Sequence, residues 1–229
     1  MTENESRVAV VGAVQRLDAL GMNRGSTGNV SARWGEGMII TPTGMGAEGL
    51  RAQDLVWVGW DGSVKGDWQP SSEWHFHQAA YLARPDLHAV VHTHSTHAAA
   101  LACLRRPLPA FHYMVAVAGG DSVPLVPYFT FGTPELSQAV GAALQDRNAC
   151  LLANHGLVAA GRDMAQAMKV VQEIESLCEV YLKALAVGEP ALLSQQEMAQ
   201  VRTKFGRYGR AARLPPAPLP SDTPALKPR

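Results

Sequence analysis

The spacing of hydrophobic and polar positions changes several times along the 229 residues, and each change predicts an element. Residues 6–20, "SRVAVVGAVQRLDAL", carry apolar side chains at helical spacing and stop at Gly21, so a first helix ends there. "NRGSTGNVSAR" is a glycine- and hydroxyl-rich loop that runs into a strand. "GMIITPTGM" is a second strand, broken at Pro42, and "DLVWVGWDGSV" reads as two short strands around an Asp-Gly turn. "PSSEWHFHQAAYLARPD" predicts a helix capped by serine just after Pro70 and ending near Pro85. "HAVVHTH" alternates as a strand, and "STHAAALACL" follows as a helix. "GTPELSQAVGAALQD" is a helix with Thr133 as N-cap and Pro134 in first position. "NACLLANHGLVAAG" predicts two strands around His155 and Gly156, before a long helix from about Asp163 to Val187.

This irregular alternation fits a layered α/β protein better than a run of βαβ repeats. The length fits one domain, taken as 1–213, and from Leu214 the composition shifts. Residues 214–229 hold six of the fifteen prolines and read as a disordered or polyproline-like tail.

Lysine plus arginine equal aspartate plus glutamate at 20 each, which argues against a basic nucleic-acid surface or a polybasic membrane patch. There is neither a secretory-type start nor a run of about 18 apolar residues, so a cytoplasmic protein without a membrane span is expected. The three cysteines, Cys103, Cys150 and Cys178, lack CxxC spacing and are expected as buried, reduced thiols.

The candidate chemistry begins with "VVHTHSTH". Residues two apart on a strand share a face, so His92 and His94 present their imidazoles together while Thr93 points away. Two nitrogens are half of a zinc site. His155, at a strand end before Gly156, and Glu73, at a helix start, could complete three histidines and a displaceable carboxylate, a catalytic type of site. His97 lies where the chain has turned into a helix, and is expected to pack behind the ligands or support them. His75 and His77 diverge at i and i+2 on their helix and are not expected as joint ligands. His88 is expected in solvent, and His112 beside Tyr113 is a candidate supporting group.

No Walker or GxGxxG fingerprint is present. Three loops, "GSTGN", "TPTG" and "PSSE", are nevertheless rich in glycine and hydroxyls, which suit phosphate when gathered at glycine turns and a helix start. Taken singly, each is equally well read as a cap or a turn.

Together, "GNVSAR", "ITPTGM", "PSSEWHFHQAAY", "VVHTH", "FHYMVAVAGGDSVP" and "NHGLVAAG" resemble the class II aldolase/adducin family, over about residues 7–209 including "KFGRYG". The resemblance implies a central, largely antiparallel sheet flanked by helices. It implies a Zn²⁺ lyase, one ion per subunit or another divalent metal in its place, with ligands falling on His92, His94 and His155. Glu73 would be the acid/base carboxylate and approach the metal when substrate is absent. Phosphate contacts fall on Asn29, Thr43, Gly44, Ser71 and Ser72, with Gly28 shaping the loop and Ser26 standing where threonine is usual. Tyr113 would act near the aldehyde oxygen, at a neighbour's metal in a homotetramer with sites between subunits, and Tyr208 matches a tyrosine that helps close the site.

The expected reaction is reversible cleavage of a ketose 1-phosphate, with L-fuculose 1-phosphate the substrate the resemblance points to, giving dihydroxyacetone phosphate and L-lactaldehyde. A deoxy-ketose 1-phosphate aldolase, or a decarboxylase or dehydratase of sugar phosphates, is the alternative on the same metal platform. A non-catalytic adducin-like scaffold fits least, because all three histidines and Glu73 are present.

Overall fold

The computed structural model describes residues 2–206. Helix α1 (Glu3–Ala19) opens with a capping box, in which the Thr2 hydroxyl accepts from Glu5 N while the Glu5 carboxylate accepts from Thr2 N. It ends as expected, with Gly21 in the left-handed region at φ 66°. Strands β1 (Asn29–Trp34), β2 (Gly37–Ile40), β3 (Val56–Gly59) and β4 (Val64–Lys65) follow as an antiparallel meander. Then come α2 (Trp74–Ala83), β5 (Ala89–Thr93), α3 (Thr96–Cys103), β6 (Leu125–Val126), α4 (Pro134–Ala143), β7 (Ala149–Leu152), β8 (Gly156–Gly161), α5 (Met164–Leu185) and α6 (Gln195–Phe205).

The eight strands form one open sheet in the order β4-β3-β2-β1-β5-β8-β7-β6. Among the described residues, only β6 and β7 pair in parallel. The expected layered α/β fold with a largely antiparallel sheet is therefore present. Alternation sorts the side chains. Val30, Ala32, Ala89, Val91, Leu157 and Ala159 pack against α1, α3 and α5. Val90, Val158 and Ala160 face α2 and α4 together with Phe76, Tyr81 and Val140. Each large side chain so buried stabilises the fold by about 1.5–3 kcal/mol before its ordering cost.

Three expectations need correction. Helix α2 starts at Trp74 with Glu73 as N-cap, and Ser71 is no cap to it. An antiparallel bridge between Pro42 and Pro70 and a bond from Ser71 N to Thr41 O hold residues 70–71 against the loop after β2, and the Ser71 hydroxyl accepts from Glu73 N at 3.3 Å, ahead of the first turn. Cys103 is exposed, whereas Cys150 and Cys178 are buried, and all three are free. Helix α6 has no counterpart in the sequence reading, although Ser194 and Glu197 form a second capping box. Tyr208 and the proline-rich tail lie outside the described residues. Among the described residues, no helix is long and apolar enough to cross a membrane.

Candidate metal centre and active-site cleft

Strand β5 is flanked by β1 and β8, and His92 is opposite Asn29 on one side and Val158 on the other. By alternation its side chain emerges on the α2 side, where it meets the edge of Phe76 at 5.3 Å and is fully buried. His92 Nδ1–H donates to the Leu157 carbonyl at 3.0 Å. A carbonyl can only accept, so this bond fixes the tautomer and leaves the Nε2 lone pair free for a ligand. Strand β5 ends at Thr93, but His94 is still extended enough to bring its Nε2 to 3.0 Å from that of His92.

His155 comes from the tight turn between β7 and β8. Gly156 is required there, because a Cβ would collide with the Thr93 carbonyl. The three rings surround a common point, with centroids 4.8, 4.8 and 4.9 Å apart and planes inclined at 74–75°. Glu73 adds a carboxylate, with Oε2 3.4 Å from His92 Nε2 and Oε1 3.2 Å from His155 Nε2. One potential ligand atom from each of these four residues lies within 4.8 Å of all the others.

The electrostatics suit a cation. Burial pushes the His92 imidazole down to about 3, against the pull of Glu73. Burial and the neighbouring His155 also lower His94, so both imidazoles are neutral at neutral pH. For Glu73, burial alone would raise the carboxyl, but His92, His155 and Asn29 outweigh it and hold the group ionised. Glu73 Oε1 is buried and has only the His155 ring nitrogen beside it, at 3.2 Å. Such an atom is costly unless a ligand satisfies it. Three imidazole nitrogens and one carboxylate, with no thiolate, therefore fit a divalent metal ion in a site that can open to substrate.

Beside this group is a cleft of about 370 Å³ lined by Ser26, Gly28, Asn29, Thr43, Gly44, Ser71 and Ser72, with Glu73, His94 and His155 at its end. All seven residues expected around a phosphate thus line one cleft. The loops are tied together: Thr43 N donates to Gln69 O at 3.0 Å, and His94 N donates to Asn23 Oδ1 at 3.2 Å. Gly28, at φ 72°, turns the chain so close to β5 that a Cβ would sit 2.6 Å from the His92 carbonyl.

Six further lining residues were not among those expected: Thr27, Pro42, Asn154 and the aromatics Tyr128, Phe129 and Phe131. For the aromatics, the only available signal was the run "YFTF" just before the Thr133 cap.

Other candidates are placed elsewhere. Tyr113 is exposed and does not line the cleft of its own chain. It begins a 3₁₀ turn, Tyr113–Ala118, whose first residues are fixed by Met114 N donating to His112 Nδ1. His97 does not support the ligand histidines. Its ring and backbone N–H meet Glu175 Oε1 at 2.9 Å, and Ala98 N donates to Glu175 Oε2, so Glu175 caps α3 from α5. His75 and His88 are exposed and lie outside the ligand group. His77 is also outside it, but is fully buried and bonded to Asn29 and Ser31.

Comparison with known proteins points one way. Residues 8–182 match the model of the class II aldolase and adducin N-terminal domain. A 5-methylthioribulose-1-phosphate/5-deoxyribulose-1-phosphate aldolase of Rhodospirillum rubrum is 47% identical over 212 residues, covering 93% of this chain and 96% of its own. An L-fuculose phosphate aldolase of Escherichia coli K12 is 44% identical over 210 residues, covering 91% and 98%. Among solved structures, an L-fuculose 1-phosphate aldolase superposes with a TM-score of 0.85 at 37% identity, over 88% of this chain and 96% of that one.

Proposed function

The chain belongs to the class II aldolase and adducin family and is an aldolase, and on that premise we propose that it cleaves a ketose 1-phosphate to dihydroxyacetone phosphate and a small aldehyde, with zinc as its metal. One observation carries this reading. A single cleft is lined both by seven residues suited to phosphate and by members of the carboxylate–histidine group suited to a cation.

In this reading Ser26, Asn29, Thr43, Gly44, Ser71 and Ser72 hold the phosphate through hydroxyls, an amide and backbone N–H groups. Binding energy at this unreactive end orients the carbons that react. His92, His94 and His155 hold the metal, which supplies Lewis-acid stabilisation of the negative charge released when the carbon–carbon bond breaks. Glu73 is the group placed to move a proton at the three-carbon fragment. Its Asn29 contact keeps one carboxylate oxygen oriented while Oε1 sits 3.2 Å from the His155 ring nitrogen. Tyr128, Phe129 and Phe131 form an apolar wall, suited to a substrate whose far end carries a methyl or thioether in place of a hydroxyl. L-Fuculose 1-phosphate, which would give L-lactaldehyde, is the first substrate proposed. A 5-deoxy-ketose 1-phosphate is the second, favoured by the 47% identical relative. The exposed Tyr113 fits a contribution to a neighbour's site in a homotetramer.

The test is release of dihydroxyacetone phosphate from L-fuculose 1-phosphate and from 5-deoxyribulose 1-phosphate, with and without a chelator, on protein of known zinc content and mass in solution. Chelator-sensitive release from one substrate is the expected result and selects it. Chelator-resistant release would remove the metal from the reading, and a monomer active at full rate would remove the role of Tyr113.

A further inference from the structure

Glu73, His77 and Tyr81 are four residues apart at and along α2, while Asn29 and Ser31 are two apart on β1. Four helical residues rise about 6 Å and two strand residues about 6.6 Å, so the two series stay in step where helix and strand lie side by side. The side chains interdigitate. Asn29 Nδ2 donates to Glu73 Oε2 at 2.9 Å, His77 Nε2 is 2.5 Å from Asn29 Oδ1, His77 Nδ1 is 2.7 Å from Ser31 Oγ, and Ser31 Oγ is 2.8 Å from Tyr81 Oη. All five residues are buried.

One chemical fact sets the direction of every bond. An ionised carboxylate only accepts, so Asn29 must turn its NH₂ group to Glu73 and its carbonyl to His77. His77 must then carry its proton on Nε2 and accept at Nδ1 from the Ser31 hydroxyl, which in turn accepts from Tyr81. We infer that His77 is a positioning residue: with Ser31 and Tyr81 behind it, it holds the Asn29 amide with its nitrogen toward Glu73 and the cleft. Without His77 the amide could turn over, presenting its oxygen to a carboxylate and to a phosphate, both of which it would repel. Burial lowers the His77 imidazole to about 3, so the ring is neutral and keeps one nitrogen as an acceptor.

The inference rests on the proposed phosphate cleft, and two measurements separate it from that reading. The first is ¹⁵N NMR of the imidazoles in the full-length, zinc-loaded protein. His77 should show a protonated Nε2 and an unprotonated Nδ1; the opposite tautomer would reverse the line and overturn the inference, whatever the substrate. The second is calorimetric binding of inorganic phosphate to zinc-loaded variants. His77→Leu should bind phosphate about tenfold more weakly at unchanged zinc content, and His77→Gln, whose amide N–H can reach Asn29, should return to within about threefold of the parent. Should His77→Leu not fold, Ser31→Ala, which removes the donor to Nδ1, should weaken phosphate binding in the same direction. Parental affinity in His77→Leu or in Ser31→Ala, or loss in His77→Leu without recovery in His77→Gln, would reduce His77 to packing.

Discussion

The two faces of the central sheet have been put to different uses. Toward α1, α3 and α5, strands β1 and β5 send Val30, Ala32, Ala89 and Val91 into an apolar layer. Toward α2, the same two strands send Asn29, Ser31 and His92, which meet Glu73, His77 and Tyr81. The backbone of each strand serves both faces, so the difference lies only in which residues occupy alternate positions. A dry layer can supply rigidity without chemistry, and that lets its neighbour keep buried polar groups whose satisfaction depends on fixed geometry.

Substitutions can break this contrast most strongly on the polar face. His94→Ala should lose the metal and turnover together, with a fall in rate of about a thousandfold or more, whereas Glu73→Gln should keep the metal and lose about a hundred- to ten-thousandfold. Metal content by mass spectrometry beside dihydroxyacetone phosphate release separates the two. Full activity in Glu73→Gln would remove the acid/base assignment.

On the dry face, Ile174→Ala should lower the unfolding free energy by about 2–5 kcal/mol in urea while leaving turnover per folded, metal-loaded molecule unchanged. A comparable fall in turnover would mean that the two faces are not separable.

A further effect is graded with pH and vanishes at neutrality. In the metal-free protein, burial holds His77 and His92 near 3, below the ordinary value of about 6.5 that they regain on unfolding. Between these limits the unfolded chain binds more protons, so stability is complete above about pH 6.5. It declines on acidification by up to ~1.4 kcal/mol per pH unit for each group. Urea unfolding across this range checks the sign, and a flat profile would place both imidazoles in contact with water.

Much of the site could be read from the chain because it depends on short-range periodicity. The shared face of His92 and His94 follows from the two-residue repeat of a strand, and the starts of α4 and α5 follow from Thr133 with Pro134 and from Asp163. What escaped depends on pairings distant in sequence. Ser71 looks like a helix cap until Pro70 is seen bridged to Pro42. His77 looks like a surplus histidine until β1 is laid beside α2, 48 residues away from Asn29. The aromatic wall at 128–131 follows no period at all, and α6 was announced only by its capping box.

The position of β5 also has a consequence in time. Four strands lie on one side of it and three on the other. Fraying that peels the sheet from its edges must therefore pass several ladders before it reaches the His92 amide, which should exchange its hydrogen only in near-global unfolding. Two of the imidazoles thus project from the slowest-opening segment or the residue just after it.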